Sequence, residues 1–381
     1  MADSAPSFTL SLHREIGEIP AAEWNALAGG NPFVRHAFLA ALEESGSTGQ
    51  RTGWFPQHAT LRDEAGALVA CAPCYAKANS YGEYVFDHAW ANALERAGGR
   101  YYPKLQVASP FSPVPGPRLL ARDDDARRAL AQGLRQAQEG IGASSTHITF
   151  CTRAEWDALG EDGWLLRIGT QFHWANQGYG CFEDFLAAMA SRKRKTVRRE
   201  RRDAAASGLE FRALRGPEIT PALWRAFHGF YRNTVDKRWG SAYLTERFWP
   251  LLGAALGDRV VLMVALRGAE PVAAALNLWG EDALHGRNWG AAEDIPFLHF
   301  ELCYYQAIDF AIAHNIPRVE AGAQGQHKIQ RGYLPVETYS AHWIGHPGLR
   351  RAVAEFLDEE RPGIRAQMAE LAELSPFREE P

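Results

Sequence analysis

Phe297-Leu-His-Phe-Glu-Leu-Cys-Tyr-Tyr-Gln-Ala-Ile-Asp-Phe-Ala-Ile-Ala-His-Asn-Ile-Pro-Arg-Val-Glu-Ala321 reads as a helix that stops and a strand that starts, and this change of period decides the fold class. Phe300, Cys303, Tyr304, Ala307, Ile308 and Ala311 recur at helical spacing on one arc, with Gln306 and Asp309 opposite. Asn315 and then Pro317 end the helix, because proline cannot continue it. Residues 318–321 follow as a strand. Upstream, the apolar runs 260–266 and 272–279 flank a short polar turn, the mark of a hairpin, and 283–289 adds a further strand. Downstream, 339–344 reads as a closing strand and 349–374 as one or two terminal helices interrupted near Pro362. Strands and helices mixed in this way specify an α/β (α+β) chain, with mixed central sheets flanked by helices.

The first half echoes the second at an offset of about two hundred residues. Pro20-Ala-Ala-Glu-Trp24 parallels Pro221-Ala-Leu-Trp224, and His36-Ala-Phe-Leu-Ala-Ala-Leu42 parallels Arg247-Phe-Trp-Pro-Leu-Leu252. The hairpin of the second half is matched by the apolar runs on either side of the turn in 59–70. With 381 residues, more than one core usually organises, this implies two domains, expected at 1–175 and 176–346, with a helical tail at 347–381. The Pro-rich passage 102–117 fits either a linker or an ordered loop lining a cleft.

Composition narrows the class. With 46% hydrophobic residues and twelve tryptophans the chain has ample material for packed cores and excludes a largely disordered protein. No basic segment followed by an apolar core opens the sequence, and the longest apolar run is too short to span a bilayer, so a cytoplasmic protein without a transmembrane segment is expected. Five cysteines are too few and too odd in number for a disulfide framework. Cys71 and Cys74 lie three apart in a strand, facing opposite sides, and read as structural; Cys151, Cys181 and Cys303 read as small core fillers. His13, His36 and His58 are scattered, so no metal site is expected. Net charge is −4, but Ser191-Arg-Lys-Arg-Lys-Thr-Val-Arg-Arg-Glu-Arg-Arg202 alone carries +7, leaving −11 on the rest. Helical spacing crowds Arg194, Lys195, Arg198, Arg201 and Arg202 on one side of a helix that ends near Gly208. Either this is a solvated charged face or, as the density of like charge favours, Arg194, Lys195, Arg198 and Arg199 receive a phosphate-bearing ligand.

Chemistry is expected where the strand 318–321 runs into its loop. Glu320, Gln324, Gln326, His327, Lys328 and Arg331 fall within a dozen residues, and Gly322, Gly325 and Gly332 give the backbone freedom to approach a ligand. Glu320 and His327 would take a proton from an attacking amine, while Lys328 and Arg331 would steady an oxyanion. A Glu–Lys pair that merely holds the loop is the competing reading. Arg287, Asn288 and Trp289 at the end of a strand would position substrate together with Gln324 and Gln326. His299 and Glu301, at the start of the next helix, would either join them or act as caps and dipole partners. With no nucleophile elbow in the sequence, direct attack by an amine is expected over a covalent enzyme intermediate.

Gly286-Arg-Asn-Trp-Gly290, Leu298-His-Phe-Glu-Leu-Cys-Tyr-Tyr-Gln306, Glu320-Ala-Gly-Ala-Gln-Gly-Gln-His-Lys328 and Arg331-Gly-Tyr-Leu-Pro335 together resemble the FemAB-like family of peptidoglycan biosynthesis or recognition, GNAT-related predicted N-acyltransferases. The resemblance covers nearly the whole length. It implies two GNAT-like domains in tandem, the acyl-CoA N-acyltransferase fold, and transfer of an acyl or aminoacyl group to an amine. Residues 191–208 resemble the basic helix that opens the second domain of Fem-type transferases, and Lys328 with Gly332-Tyr333 is similar to their Lys before a Gly-aromatic turn. Such ligases draw on aminoacyl-tRNA and load a peptidoglycan precursor, so the implied partners are a tRNA acceptor end and a small-molecule or peptide amine. The acyl donor would be a co-substrate, with no tightly bound cofactor. The long helical-hairpin insertion of some of those enzymes is missing here. A GNAT acetyltransferase presents a Gly-rich turn to the coenzyme A diphosphate; here the turn is Ala291-Ala-Glu-Asp-Ile-Pro296, acidic and without glycine, which ranks acetyl-CoA below aminoacyl-tRNA. An acyl-CoA-dependent acetyltransferase and a non-catalytic binder of cell-wall or tRNA fragments are the alternatives.

Overall fold

Pro73 has no N–H to give to a ladder, and it splits the apolar run 68–77 into strands Leu68–Ala72 and Cys74–Lys77 that join different sheets. These belong to the first of two compact units into which the chain divides in this computed structural model, Met1–Gly169 with Glu337–Arg365 and Thr170–Val336 with Ala366–Pro381. The structure describes residues 7–237, 240–322 and 325–378.

In the first unit Phe8–His13, His58–Asp63, Leu68–Ala72 and Leu120–Ala121 form an antiparallel sheet. A second sheet runs from Trp54–Pro56 through Cys74–Lys77 and Lys104–Val107 to Ser145–Cys151, which pairs with residues 339–344 of Leu334–Ile344. Lys104–Val107 and Ser145–Cys151 are parallel. Over these sheets lies helix Asp124–Gly140, where Ala126, Leu130, Ala131 and Leu134 are buried on one stripe and Asp123 caps the first turn by accepting from the Ala126 N–H at 2.8 Å. The Pro-rich passage is ordered and largely buried rather than a linker, and contains a strand. The fully buried Arg118 donates from Nε to the Thr149 carbonyl at 2.9 Å and from Nη1 to the Gly116 and Pro117 carbonyls at 3.2 and 3.1 Å.

In the second unit the strand order is Glu210–Arg215, Val260–Arg267, Glu270–Trp279, Ala283–Ala291, Arg318–Glu320 and residues 170–175 of Leu165–Ala175. All neighbours are antiparallel except Ala283–Ala291 with Arg318–Glu320. Val260 to Ala265 are buried without alternation, as in a strand covered on both faces. Val261, Met263 and Ala265 share a core with Leu302, Tyr305 and Ile308. Helix Pro221–Lys237 crosses so near Gly290 that a Cβ there would sit 2.0 Å from the Phe230 carbonyl oxygen.

Two expectations need correction. Helix Pro347–Ala372 runs through Pro362 unbroken: one proline removes a single backbone bond, and Val353, Leu357 and Leu371 are buried along the same helix. Cys181 is exposed rather than a core filler, because it occupies the turn before helix Phe182–Ala188, where its N–H is taken by the Asp184 carboxylate at 3.1 Å.

Candidate active site

The parallel strands of the second unit stop pairing at His285 and Glu320, whereas Ala283–Ala291 runs on to Ala291 paired only with Glu270–Trp279 on its other side. The point where parallel neighbours part is the usual place for ligands in an open α/β sheet. Gly286 permits the close approach just there, since a Cβ on it would lie 3.1 Å from the Glu320 carbonyl oxygen.

Three side chains line up across this point. His285, Glu320 and His173 are register partners on adjacent strands and therefore share a face. His285 Nδ1 and Glu320 Oε2 are 2.9 Å apart, and Arg318 Nε donates to Glu320 Oε1 at 2.9 Å. Burial pushes the Glu320 carboxyl up, but His285, His173 and Arg318 outweigh it and hold the group well below the usual carboxylate range. Burial draws His173 down to about 4 against the pull of Glu320, and Lys328 contributes to the same lowering. Glu320 is thus a fixed anion with both oxygens engaged. The loop reading in which Glu320 grips Lys328 directly does not describe this arrangement, since the Lys328 amine donates instead to the Gly322 carbonyl at 2.9 Å.

Gly325 and Gly332, at φ 113° and 89°, bracket the short 3-10 helix Gln326–Arg331. Lys328 turns inward from it and is buried, which lowers its amine to about 8. His327 turns outward, exposed, with Nε2 2.9 Å from the Tyr304 hydroxyl; burial of part of the ring and the charges of Arg331 and Lys328 lower its pKa. Arg331 is clamped: Nε and Nη2 fork onto Glu200 at 3.1 and 2.8 Å, Nη1 donates to the His327 carbonyl at 2.7 Å, and the guanidinium lies 3.4 Å from the Phe300 ring centre.

Trp289 and His299 join this group. Ring centres are 5.1 Å apart for Trp289 and His299, 5.4 Å for His299 and Tyr304, and 5.7 Å for Phe300 and His327. The helix bearing His299, Phe300 and Tyr304 passes through a π-helical turn at Glu301–Tyr305, a local irregularity frequent at functional sites. Arg287 and Asn288 lie half-buried where the strand has passed the end of its parallel partner, at the irregularity in its pairing with Glu270–Trp279. Gln326 is exposed on the loop, and Gln324 lies outside the described residues. Neither His299 nor Glu301 caps the helix. Glu301 points away from the rings to Arg201, at 3.1 Å, and to Gln306, at 2.7 Å.

The basic stretch forms helix Ser191–Ala205. Its single acid within 191–202, Glu200, is buried against Arg331 and accepts from the Tyr305 hydroxyl, and Arg201 reaches Glu301 and Asp309. The protein thereby supplies part of the countercharge that this run requires. Arg198 pairs with Glu183 at the surface. Arg194 is half-buried, Lys195 and Arg199 are exposed, and none of the three has a side-chain hydrogen bond or ion pair among the described residues. His173, Glu200, His285 and Tyr304 were not singled out from the sequence. A lone acid in a basic run was the available sign for Glu200, and strand alternation placing His285 and Arg287 on one face was the sign for His285.

Among the described residues no group of three His, Cys, Asp or Glu side chains is arranged to hold a metal ion, and no helix is long and apolar enough to cross a membrane. A family model described as FemAB-like, peptidoglycan biosynthesis/recognition, matches residues 15–379. Among solved structures, FemX superposes with a TM-score of 0.56 at 9% identity over 88% of this chain and 98% of its own. The C-terminal domain of a protein described as a lysylphosphatidylglycerol synthetase from Agrobacterium fabrum gives 0.55 at 10% identity over 89% and 95%. A tandem GNAT protein from the clavulanic acid biosynthesis pathway gives 0.43 at 10% identity over 90% and 99%. No curated protein matches the chain at a significant level. The fold is mixed α/β, with sheets flanked by helices, and is shared with FemX and the Agrobacterium fabrum domain.

Proposed function

The chain belongs to the FemAB-like family, and from that premise we propose that it is an N-acyltransferase that moves an acyl or aminoacyl group from an activated, phosphate-bearing donor to an amine, with the reaction in its second unit. The observation that carries this reading is the buried Lys328 amine, tethered to the Gly322 carbonyl just past the point where two parallel strands part, with the imidazole–hydroxyl pair of His327 and Tyr304 on the same loop-and-helix unit. With an aminoacyl-tRNA donor, the acceptor nitrogen attacks the ester carbon and forms the C–N bond. The carbonyl oxygen becomes an oxyanion opposite the Lys328 ammonium, the amine proton passes to His327, and the C–O bond to the ribose breaks as that oxygen takes the proton back. Glu320 holds His285, and the two fix the floor of the site without taking the proton. Arg331 shapes the loop through Glu200, and Trp289, His299, Arg287 and Asn288 position the substrate. Arg194, Lys195, Arg198 and Arg199 receive the donor's phosphates, and a peptidoglycan-type peptide is the acceptor that suits the family description.

Acyl-CoA is the second reading. The acids of the 291–296 turn are paired, Glu293 with Arg267 at 2.7 Å and Asp294 with Lys237 at 2.8 Å, so they repel a diphosphate less than their charge suggests. Calorimetry separates the donors: tight coenzyme A binding favours acyl-CoA. A purely binding role predicts ligand affinity that survives Lys328→Ala with no product formed. The direct test is turnover of Lys328→Ala on a substrate pair found by mass spectrometry. A loss of roughly 10²- to 10³-fold is expected, and full retention of rate removes Lys328 from the reaction.

A further inference from the structure

We propose that the loop 80–88 of the first unit is a stacking platform for an uncharged saccharide ring. The loop is Ser-Tyr-Gly-Glu-Tyr-Val-Phe-Asp-His, and its residues divide sharply between inside and outside. Tyr81 and Phe86 are 62% and 60% exposed, unusual for rings of that size on one short segment. They are not scattered. The exposed His88 ring lies between them, 6.1 Å from Tyr81 with planes 53° apart and 6.3 Å from Phe86 with planes 27° apart, so the three rings adjoin at the surface. Tyr84, at φ 62°, is a fourth exposed ring on a backbone conformation that tyrosine rarely adopts.

The inward residues explain why the platform is stiff. Glu83 and Asp87 are buried against Lys104, with Glu83 at 2.7 Å, and Lys104 also donates to Ser80 Oγ at 2.9 Å. The Tyr101 hydroxyl donates to Asp87 at 2.7 Å. The carbonyls beneath the outward rings are held as well: Tyr81 accepts from Lys77 Nζ at 3.2 Å and from Trp54 Nε1 at 3.0 Å, and Phe86 accepts from Arg167 at 2.7 Å. Burying charges at this density is costly. Here it fixes a display of apolar rings that gain nothing from the solvent they face, and a surface ordered in advance loses little entropy when it binds.

Charge selects the occupant. Both acids of the loop are turned inward and neutralised, and the segment contains no lysine or arginine. A surface for single-stranded nucleic acid would set cations beside its stacking rings to meet the phosphates. An uncharged face of adjoining rings, edged by tyrosine hydroxyls and an imidazole, complements instead a pyranose, whose apolar face stacks while its hydroxyls hydrogen-bond at the rim. A glycan of that kind accords with the family description of peptidoglycan recognition.

The test is titration of the full chain with the tetramer of N-acetylglucosamine, followed by saturation-transfer NMR and calorimetry. Saturable binding is expected, weakened about tenfold by Phe86→Ala and by Tyr81→Ala and kept by Tyr81→Phe, with circular dichroism unchanged. The proposal is overturned by absence of saturable binding at millimolar saccharide, or by binding indifferent to both alanine variants. It is equally overturned if those variants instead abolish binding to anionic phosphatidylglycerol vesicles or self-association of the chain. Because the readout is binding at the first unit, its failure leaves the transfer reading standing.

Discussion

Lys328 titrates where enzymes work, and that makes its role measurable. Burial brings the amine from 10.5 to about 8, so an oxyanion-stabilising cation is lost as pH rises through about 8 and kcat falls on that limb. Lys328→Arg, which stays charged, is expected to turn over more slowly but without the alkaline limb, and pH–rate profiles of the two proteins check this. The sign for stability is opposite. Between pH 8 and 10.5 the unfolded chain holds this proton and the folded chain does not, so the group's contribution to stability rises with pH across that window. Below it the buried charge is a burden, and Lys328→Met is expected to raise Tm at pH 7. The loop cations were legible as a cluster in sequence, but their division of labour was not. Arg331 and Lys328 are three apart on one short helix, yet the first is locked to Glu200 and the second caps a carbonyl, a difference set for Arg331 by a residue more than a hundred positions away.

At the level of elements, the basic helix is anchored by its buried acid. Glu200→Ala leaves the Arg331 guanidinium buried without its partner and is expected to cost about 3–5 kcal/mol in urea unfolding. Lys195→Ala on the same helix, exposed, should stay within roughly 0.5 kcal/mol. Gly290→Ala is expected to destabilise by at least about 1–3 kcal/mol, because the new methyl meets the Phe230 backbone rather than a yielding side chain. The hairpin, the strands around it and the basic helix could be read from apolar spacing, since period two and period 3.6 are written directly in the side chains. The π turn at Glu301–Tyr305 could not. One extra residue in a helix barely disturbs the apolar stripe, although it changes which of Glu301, Tyr304 and Tyr305 face the rings and which face the basic helix.

Across the whole molecule, each unit carries a parallel strand pair, and the two pairs differ in the chain that borders their ends. In the first unit the buried Arg118 bonds the Thr149 carbonyl on the parallel strand; in the second the strand carries Trp289 on beside His299, which neighbours His327. The repeat was visible in sequence as an echo of helix and hairpin patterns. The anchoring of Arg118 was not, because it rests on one buried arginine held by backbone carbonyls, and no side-chain pattern announces such bonds. An acidic body with a basic helix also predicts that donor binding weakens with salt. Replacing Arg194, Lys195, Arg198 and Arg199 by alanine should flatten the slope of log K against log salt by about 0.7 for each phosphate no longer neutralised, measured by filter binding of charged tRNA. The most direct measurement is mass spectrometry of a muramyl peptide bearing a free amine after incubation with aminoacyl-tRNA and the protein. The expected result is an aminoacylated peptide that accumulates with the native chain and falls at least about a hundredfold with Lys328→Ala. Equal product with both proteins, or none with the native chain against either aminoacyl-tRNA or acyl-CoA, would contradict the account.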